Sequence, residues 1–452
     1  MRTNHQRYPL SWAVLSYLLV PAALCALLWK GLRYRPYLRR WPERFAIGLE
    51  RSYGSAIWVH AVSVGEVRSC VPLVRALVQR YPRHNLVLTT MTPTGAEQVS
   101  QLFGDAVRHL YLPYDLPDVV NRFLDRVRPS LAVIAETEFW PNLFAACRRR
   151  GIPLVLANVR ISANSLSGYL RVPGIARAMF GGADLVCAQT RTDARRLRSL
   201  GVPEHRLFVT GNLKFDVPIT DSVLTAGQEL RQRWGAGRFI WIAGSTHAGE
   251  EEKILRAYRQ LQARWSNLLL VLVPRDPERF SGVTRLVRRY GLRVARHSET
   301  HAVLAPEVDV LVGDSMGELQ TFYAAADLAF VGASLVRRGG HNVLEPGAAG
   351  IPVIFGPHVM NFEDIAASVL EAGAGRQVYD ELELAAAVEF YIGNPSVRTA
   401  AGAAARRAIA RNGGCVSATL EHFSRQVHAR MAARDAVRAG AAAPSADMSG
   451  RH

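Results

Sequence analysis

The stretch IWVHAVSVGEVRSCVPLVRALVQ, residues 57–79, decides the fold class. Ile57–Val62 is a short apolar run rich in Ile and Val, as suits a strand buried on both faces. Ser63 to Glu66 breaks the run, and Val71–Gln79 then spaces its apolar residues as a helix does. The same unit recurs along the chain. Apolar runs follow at Leu86–Thr90, Leu131–Ala135, Pro153–Ala157, Leu185–Ala188 and Leu207–Thr210, with helical segments such as Leu143–Arg150 between them. A second series comprises Phe239–Ala243, Leu268–Val273, Val310–Val312, Leu328–Val331 and Pro352–Phe355. Within it, Glu251–Arg264 places Ile254, Leu255, Tyr258 and Leu261 at helical spacing. Apolar strands that alternate with helices form parallel sheets covered on both faces. Two series predict two Rossmann-like domains joined near Asp216–Ser222. Such sheets bind ligands beyond the carboxyl ends of their strands, so a cleft between the domains is the expected site.

Composition agrees with this scale. A chain of 452 residues has room for roughly three domains. Its 49% hydrophobic content and mean hydropathy of +0.03 exclude a disordered chain, a collagen-like fibre and a small disulfide scaffold. Five scattered cysteines, Cys25, Cys70, Cys147, Cys187 and Cys415, lack the C-x-x-C spacing of a zinc site and fit a reducing compartment. The net charge of +17 and a pI near 10.2 point to an anionic partner: nucleic acid, a membrane surface or a phosphorylated substrate. A solvated arginine-rich surface is the plain alternative. Only Lys30, Lys214 and Lys253 among the 55 basic residues are lysines.

Leu10–Trp29 carries no charge, and as a helix it would span about 30 Å, a bilayer core. Pro21 would kink it, and Trp12 and Trp29 stand where interfacial aromatics belong. Arg2 and Arg7 precede it, whereas Lys30, Arg33, Arg35, Arg39, Arg40 and Arg44 follow. The positive-inside rule therefore places the globular mass in the cytoplasm, behind one N-terminal anchor. A helix lying in the interface is the alternative.

Polar residues at strand ends carry the chemistry. Ser63 and Glu66 have capping-box spacing, but Glu66 also stands where a carboxylate could take a proton from an acceptor hydroxyl. Glu136 and Glu138 follow a buried strand; one would point inward if the strand period continued, and a buried carboxylate needs a partner or a function. Either could also be a helix N-terminal charge. Lys214 lies beside the domain join, where a compact ammonium rather than an arginine suggests a site. Three segments, Gly244–Gly249, Ser315–Glu318 and Asn342–Glu345, look like helix starts of one kind, either simple caps or phosphate-binding N-termini. Pro274-Arg275 adds a fixed positive charge at another strand end. The P-loop, H-E-x-x-H, G-x-S-x-G and D-x-D motifs are absent.

The order of WVHAVSVGEV, TTMTPTGAEQV, YLPYDLP, AETEFWPN, ANVRIS, GNLKFD, AGSTHAGEE, PRDPERF, GDSMGEL and GGHNVLEP between Trp58 and about Asp364 resembles the 3-deoxy-D-manno-octulosonic acid (Kdo) transferases of lipopolysaccharide assembly. The resemblance implies a GT-B fold, two Rossmann-like domains facing a central cleft, with an N-terminal membrane helix. It implies an inverting transfer of Kdo from CMP-Kdo, a substrate rather than a cofactor, to a phosphorylated lipid A precursor at the inner membrane. No metal, no cofactor and no nucleic acid are expected. By resemblance Glu66 is the general base, and Glu136 and Lys214 help stabilise the transition state. Pro274, Arg275, Met316, Gly317, Glu318, Asn342, Val343, Leu344 and Glu345 would hold CMP, with Ser245, Thr246 and His247 as further phosphate or carboxylate contacts. Val343 and Gly347 stand where the resemblance would put Pro and Ala, which concerns only the local backbone. The expected organisation is an anchor at 1–30, an acceptor domain at 31–216, a CMP-sugar domain at 217–394, a helical segment at 395–433 and a loose tail at 434–452. A UDP-sugar transferase or epimerase on the same fold, and a non-enzymatic binder of anionic polymers, are the competing readings.

Overall fold

In the computed structural model the opening strand is Ala56–His60 (β1), with all five residues buried. The structure describes residues 10–33, 35–50, 53–216, 219–300, 303–360 and 362–442. The chain divides into two compact units, residues 1–216 with 414–452, and residues 217–413.

The first unit is built on β1, Asn85–Thr90 (β2), Arg108–Tyr111 (β3), Pro129–Ala135 (β4), Leu154–Val159 (β5), Leu185–Ala188 (β6) and Leu207–Val209 (β7). These seven parallel strands lie in the order β3-β2-β1-β4-β5-β6-β7. Successive side chains of a strand face opposite sides, and here both sides are buried. Trp58 packs in one layer with Val120 and Phe123 of the helix Pro117–Val127, its ring edge-on to Phe123 at 5.2 Å. Ile57 and Val59 pack in the other with Leu73 and Val74 of the helix Val64–Arg80.

The second unit repeats the plan with Phe239–Thr246 (β8), Leu268–Pro274 (β9), Val294–Arg296 (β10), Val310–Val312 (β11), Leu328–Val331 (β12), Val353–Phe355 (β13) and Gly375–Gln377 (β14). Its parallel order is β10-β11-β9-β8-β12-β13-β14. Trp241 faces Ile254, Leu255 and Tyr258 of the helix Glu251–Gln262. Ile240 and Ile242 face Trp234, Phe322 and Tyr323.

Two expectations about the chain ends are corrected. Residues 395–433 are not one segment. The helix Pro395–Asn412 belongs to the second unit, and the helix Cys415–Gln426 belongs to the first. Its Cys415 and Phe423, continued by Val427 and Met431, fill the core beside Leu73 and Leu77. Nor is 434–442 a loose tail, because the helix His428–Ala442 runs through it. There Asp435 accepts hydrogen bonds from Ser55 at 2.7 Å, from His84 at 2.9 Å and from Ser130. Residues 443–452 lie outside the described residues.

At the N-terminus, no single described helix is long and apolar enough to cross a membrane. Instead Trp12–Leu18 and Val20–Leu32 form a pair bent by 41°, which together has the length and apolar composition of a span. The break at Leu19 sits two residues before Pro21, where the missing N–H and the restricted preceding residue interrupt the helix. Trp12 lies edge-on to Phe139 at 5.6 Å, and Ser16 accepts a hydrogen bond from Asn142 at 3.4 Å. Arg2 and Arg7 lie outside the described residues.

Candidate active site

β1 and β4 are neighbours although two strands separate them in sequence, so the winding of the first sheet reverses between them. A doubly wound sheet opens its binding crevice at that reversal. Glu66 follows β1, in the first turn of the helix Val64–Arg80, and Glu136 follows β4 directly.

Ser63 is the N-cap of that helix, but its side chain caps no helix N–H. The carboxylate of Glu66 turns back instead. It accepts the Val62 N–H at 2.6 Å, and the Ser63 hydroxyl donates to its other oxygen at 3.4 Å. The carboxylate thus reaches past the N-cap to the N–H of the residue before it, rather than to the Ser63 N–H that a capping box would use. Burial pushes the Glu66 carboxyl up to about 8; the Val62 N–H opposes this, and the charges of Glu136 and Glu138 add to it.

Glu136 adopts φ +56°, a left-handed conformation uncommon outside glycine, with its N–H bonded to the Ala157 carbonyl at 2.8 Å. The strand alternation therefore stops at Ala135. Glu136 and Glu138 are both half-buried, rather than one in and one out. Burial raises the Glu136 carboxyl, while the positive charges of Lys214 and Arg160 oppose it. Glu138 is pushed up to about 7 by burial and by Glu136. From the YLPYDLP stretch, Asp115 accepts the N–H groups of Asn142 at 3.0 Å and Leu143 at 2.8 Å, which fixes the helix that follows the Glu136 loop.

Lys214 lies in the short turn Leu213–Phe215, its N–H bonded to Asn212 Oδ1 at 3.0 Å. Asp216 closes the turn by accepting the N–H groups of Gly414, Cys415 and Val416 at 2.5, 3.2 and 2.5 Å. Glu66, Glu136 and Lys214 thus form one electrostatic cluster, in which Lys214 acts on Glu136 and Glu136 on Glu66. Sequence reasoning missed Asp115 and Asp216, as well as the effect of Glu138 on Glu66.

In the second unit the candidate donor residues occupy strand-end loops. Ser245 is left-handed at φ +56°, and Gly332 must lack a side chain because a Cβ there would sit 2.4 Å from the Ser245 carbonyl oxygen. Thr246 is wholly buried and donates its hydroxyl to Glu251 at 3.1 Å, so that hydroxyl serves the fold. The ring of His247 stacks on His341 with the two Nε2 atoms 3.1 Å apart. One of those nitrogens must donate and the other accept. Pro274 is buried at the end of β9, and the Arg275 N–H bonds the Thr246 carbonyl at 3.0 Å. Glu251 also holds Arg279 through two bonds of 2.5 and 3.0 Å. Met316 is exposed, Gly317 has φ +86° and Glu318 lies 3.5 Å from His297. Asn342 Oδ1 accepts the Leu344 N–H at 3.1 Å, Val343 and Leu344 are buried, and Glu345 is half-buried. Val343 and Leu344 can therefore offer a ligand only backbone groups.

The three helix starts are not of one kind, contrary to expectation. Glu318 and Val343 occupy the caps of Leu319–Ala325 and Leu344–Ala349 without capping side-chain bonds, and the buried Ser315 hydroxyl has no hydrogen-bond partner among the described residues. Before Glu251–Gln262 the work is done by Glu250, which sequence reasoning missed. Its buried carboxylate accepts the N–H groups of Ala333 at 2.8 Å, Leu335 at 2.9 Å, Ser334 at 3.1 Å and His247 at 3.3 Å. This ties the loop after β12 to the loop after β8. A run of three glutamates, Glu250 to Glu252, beyond a buried strand is its only sequence signal. Among the described residues no group of three or more His, Cys, Asp or Glu could hold a metal ion.

Residues 39–217 match the family described as 3-deoxy-D-manno-octulosonic-acid transferase (kdotransferase). The 3-deoxy-D-manno-octulosonic acid transferase of Haemophilus influenzae is 40% identical over 409 residues, 89% of this chain and 94% of that one. The chain belongs to the 3-deoxy-D-manno-octulosonic acid transferase family. It is a Kdo transferase, a glycosyltransferase. The solved C-terminal CMP-Kdo binding domain of WaaA from Acinetobacter baumannii is 30% identical, covering 42% of this chain and 99% of that domain at a TM-score of 0.40. A solved glycosyltransferase from Rickettsia africae shares the GT-B-like fold at 14% identity and a TM-score of 0.50, covering 82% of this Kdo transferase and 98% of that chain.

Proposed function

We propose that this Kdo transferase moves Kdo from CMP-Kdo to a hydroxyl of a phosphorylated lipid A precursor, with inversion at the anomeric carbon. The observation that carries the reading is the Glu66 carboxylate, half-buried at the sheet's reversal point with a raised proton affinity and Glu136 and Lys214 acting beside it. Glu66 takes the proton of the acceptor hydroxyl as the oxygen attacks, opposite the departing CMP. Lys214 balances negative charge that develops in the transition state, and Glu136 holds that ammonium in place. Arg275, Glu318 and the backbone of Asn342–Glu345 bind the nucleotide, with Ser245 and His247 towards its phosphate or the Kdo carboxylate. The donor carries one phosphate, so a diphosphate-bridging metal has no part in this reading, and no cofactor is used.

The acceptor side belongs to the first unit. The bent apolar pair, with Leu18, Trp29 and Leu32 exposed, attaches that unit to the inner membrane with the catalytic units in the cytoplasm. Arg35 and Arg39 follow it and suit an anionic leaflet. The net charge of +17 then serves lipid phosphates rather than nucleic acid.

Arg275→Ala is expected to raise KM for CMP-Kdo by about tenfold or more and to leave KM for the acceptor within about twofold. Initial rates with each substrate varied in turn check this, and an effect confined to the acceptor would reassign Arg275. The function itself is tested by mass spectrometry of the product formed from CMP-Kdo and a lipid A precursor with EDTA present throughout. The expected result is a product heavier by one or more Kdo residues. An unchanged acceptor mass, or addition only after Mg²⁺ is restored, contradicts the reading.

A further inference from the structure

β5 ends unlike its neighbours. Asn158 is wholly buried, adopts φ +57°, and the pairing of β5 with β6 shifts register between Leu156 and Val159. A left-handed residue within a strand is strained, and asparagine is among the few side chains that tolerate it. Such strain persists where the surroundings over-determine it, often beside a functional site.

Two bonds define what the residue does. Asn158 Oδ1 accepts the Leu213 N–H at 3.0 Å, bridging 55 positions of sequence. A backbone N–H can only donate, so the amide oxygen must be the atom that faces it. The Asn158 carbonyl in turn accepts from Gln189 Nε2 at 3.0 Å, which ties the bent strand end to the end of β6. The Asn158 Nδ2 group is buried with no hydrogen-bond partner among the described residues. An apolar residue would remove that orphan, yet a polar one stands here, which places the value of the side chain in its oxygen. Leu213 begins the turn that carries Lys214, and Asp216 fixes the far end of the same turn. Asn158 is therefore the tie between the near end of the turn and the strand adjacent to β4, from which Glu136 projects.

We propose that Asn158 is a positioning residue of the reaction, holding the Leu213 N–H so that Lys214 stands beside Glu136. The inference rests on the reading of Lys214 as part of the reaction site. Asn158 touches neither substrate; it acts through one backbone bond. Displacing a reacting group by about 1 Å can cost on the order of 100-fold in rate, which sets the scale of the effect.

The test is a double-mutant cycle on the full chain. Asn158→Gly keeps the left-handed backbone and removes the acceptor, whereas Asn158→Asp keeps an acceptor oxygen in the same place. Asn158→Gly is expected to lower kcat by about 10–100-fold with the Kd for CMP within about twofold of wild type. Asn158→Asp is expected to stay within about fivefold of wild type. In a Lys214→Ala background, Asn158→Gly should cost nothing further, because the group it positions is gone. If Asn158→Gly does not fold, Asn158→Ser, whose hydroxyl is too short to reach Leu213, takes its place in the cycle. Equal losses in the wild-type and Lys214→Ala backgrounds, or an Asn158→Asp variant as impaired as Asn158→Gly, would overturn the inference. A Lys214→Ala enzyme with wild-type kcat would instead overturn the role of Lys214, a separate outcome.

Discussion

Glu66→Gln is expected to lower turnover by about 10²–10⁴ while the melting temperature and the affinity for CMP-Kdo stay near wild type. The separation of effects follows from the two jobs of this side chain. One carboxylate oxygen accepts the Val62 N–H at 2.6 Å, and the amide oxygen of glutamine can do the same. The Ser63 hydroxyl, which donates at 3.4 Å to the other oxygen, can rotate to accept from the new amide. The helix start is thereby kept. The proton acceptor is lost, because an amide does not take a proton near neutral pH. Single-turnover rates, Kd for CMP and thermal unfolding measured on the same preparation check this. A variant that turns over within a few-fold of wild type would leave Glu66 as a cap and move the base assignment to Glu136.

Glu250→Ala is expected to destabilise the second unit by about 3–5 kcal/mol, among the larger effects of a single substitution. Its carboxylate is the acceptor for four backbone N–H groups, those of His247, Ala333, Ser334 and Leu335. A buried donor left without its acceptor costs about 1–3 kcal/mol. Alanine orphans four at once, offset in part because the buried carboxyl, raised above its ordinary pKa by desolvation, no longer has to be accommodated. Glu250→Gln keeps one acceptor and should fall between the two. Hydrogen exchange reads the effect directly: the amides of Ala333–Leu335 should lose protection by about 10²-fold or more, and the urea midpoint should fall. Wild-type protection at those amides would show that the loop is held by something else.

Most of the fold is legible in the sequence, and the strands that are not share a cause. Every central strand is an apolar run because both of its faces are covered. β3, β10 and β14 lie at sheet edges and read Arg-His-Leu-Tyr, Val-Ala-Arg and Gly-Arg-Gln, which carry no such run. An edge strand needs less apolar surface, so its signal vanishes into the loops. The C-terminal helices were misread for a different reason. Alanine and arginine dominate Pro395–Asn412 and His428–Ala442, and the stripe formed by Phe423, Val427 and Met431 is too sparse to announce a docking face. At the candidate site, Glu66, Glu136 and Lys214 stand out as chemistry-bearing types at strand ends. Asn158, Asp216 and Glu250 do not, because what they do is accept backbone N–H groups from segments remote in sequence. Thr246 shows the converse: it has the chemistry of a phosphate contact, but its hydroxyl is spent inside the protein on Glu251.

The account turns on a carboxylate whose proton affinity is set by burial and by its acidic neighbours. Glu66 is pushed up to about 8, with Glu138 contributing to the rise, and only the ionised form can act as base. Activity should therefore fall about tenfold per unit as pH drops below that value, and level off above it. The direct test is kcat/KM for the acceptor as a function of pH, in wild type and in Glu138→Gln. The expected result is an acid limb with its midpoint near pH 8 in the wild type, displaced to lower pH in Glu138→Gln because one negative charge beside Glu66 is gone. An acid limb in the ordinary carboxylate range in the wild type, or one that Glu138→Gln leaves unmoved, would contradict it.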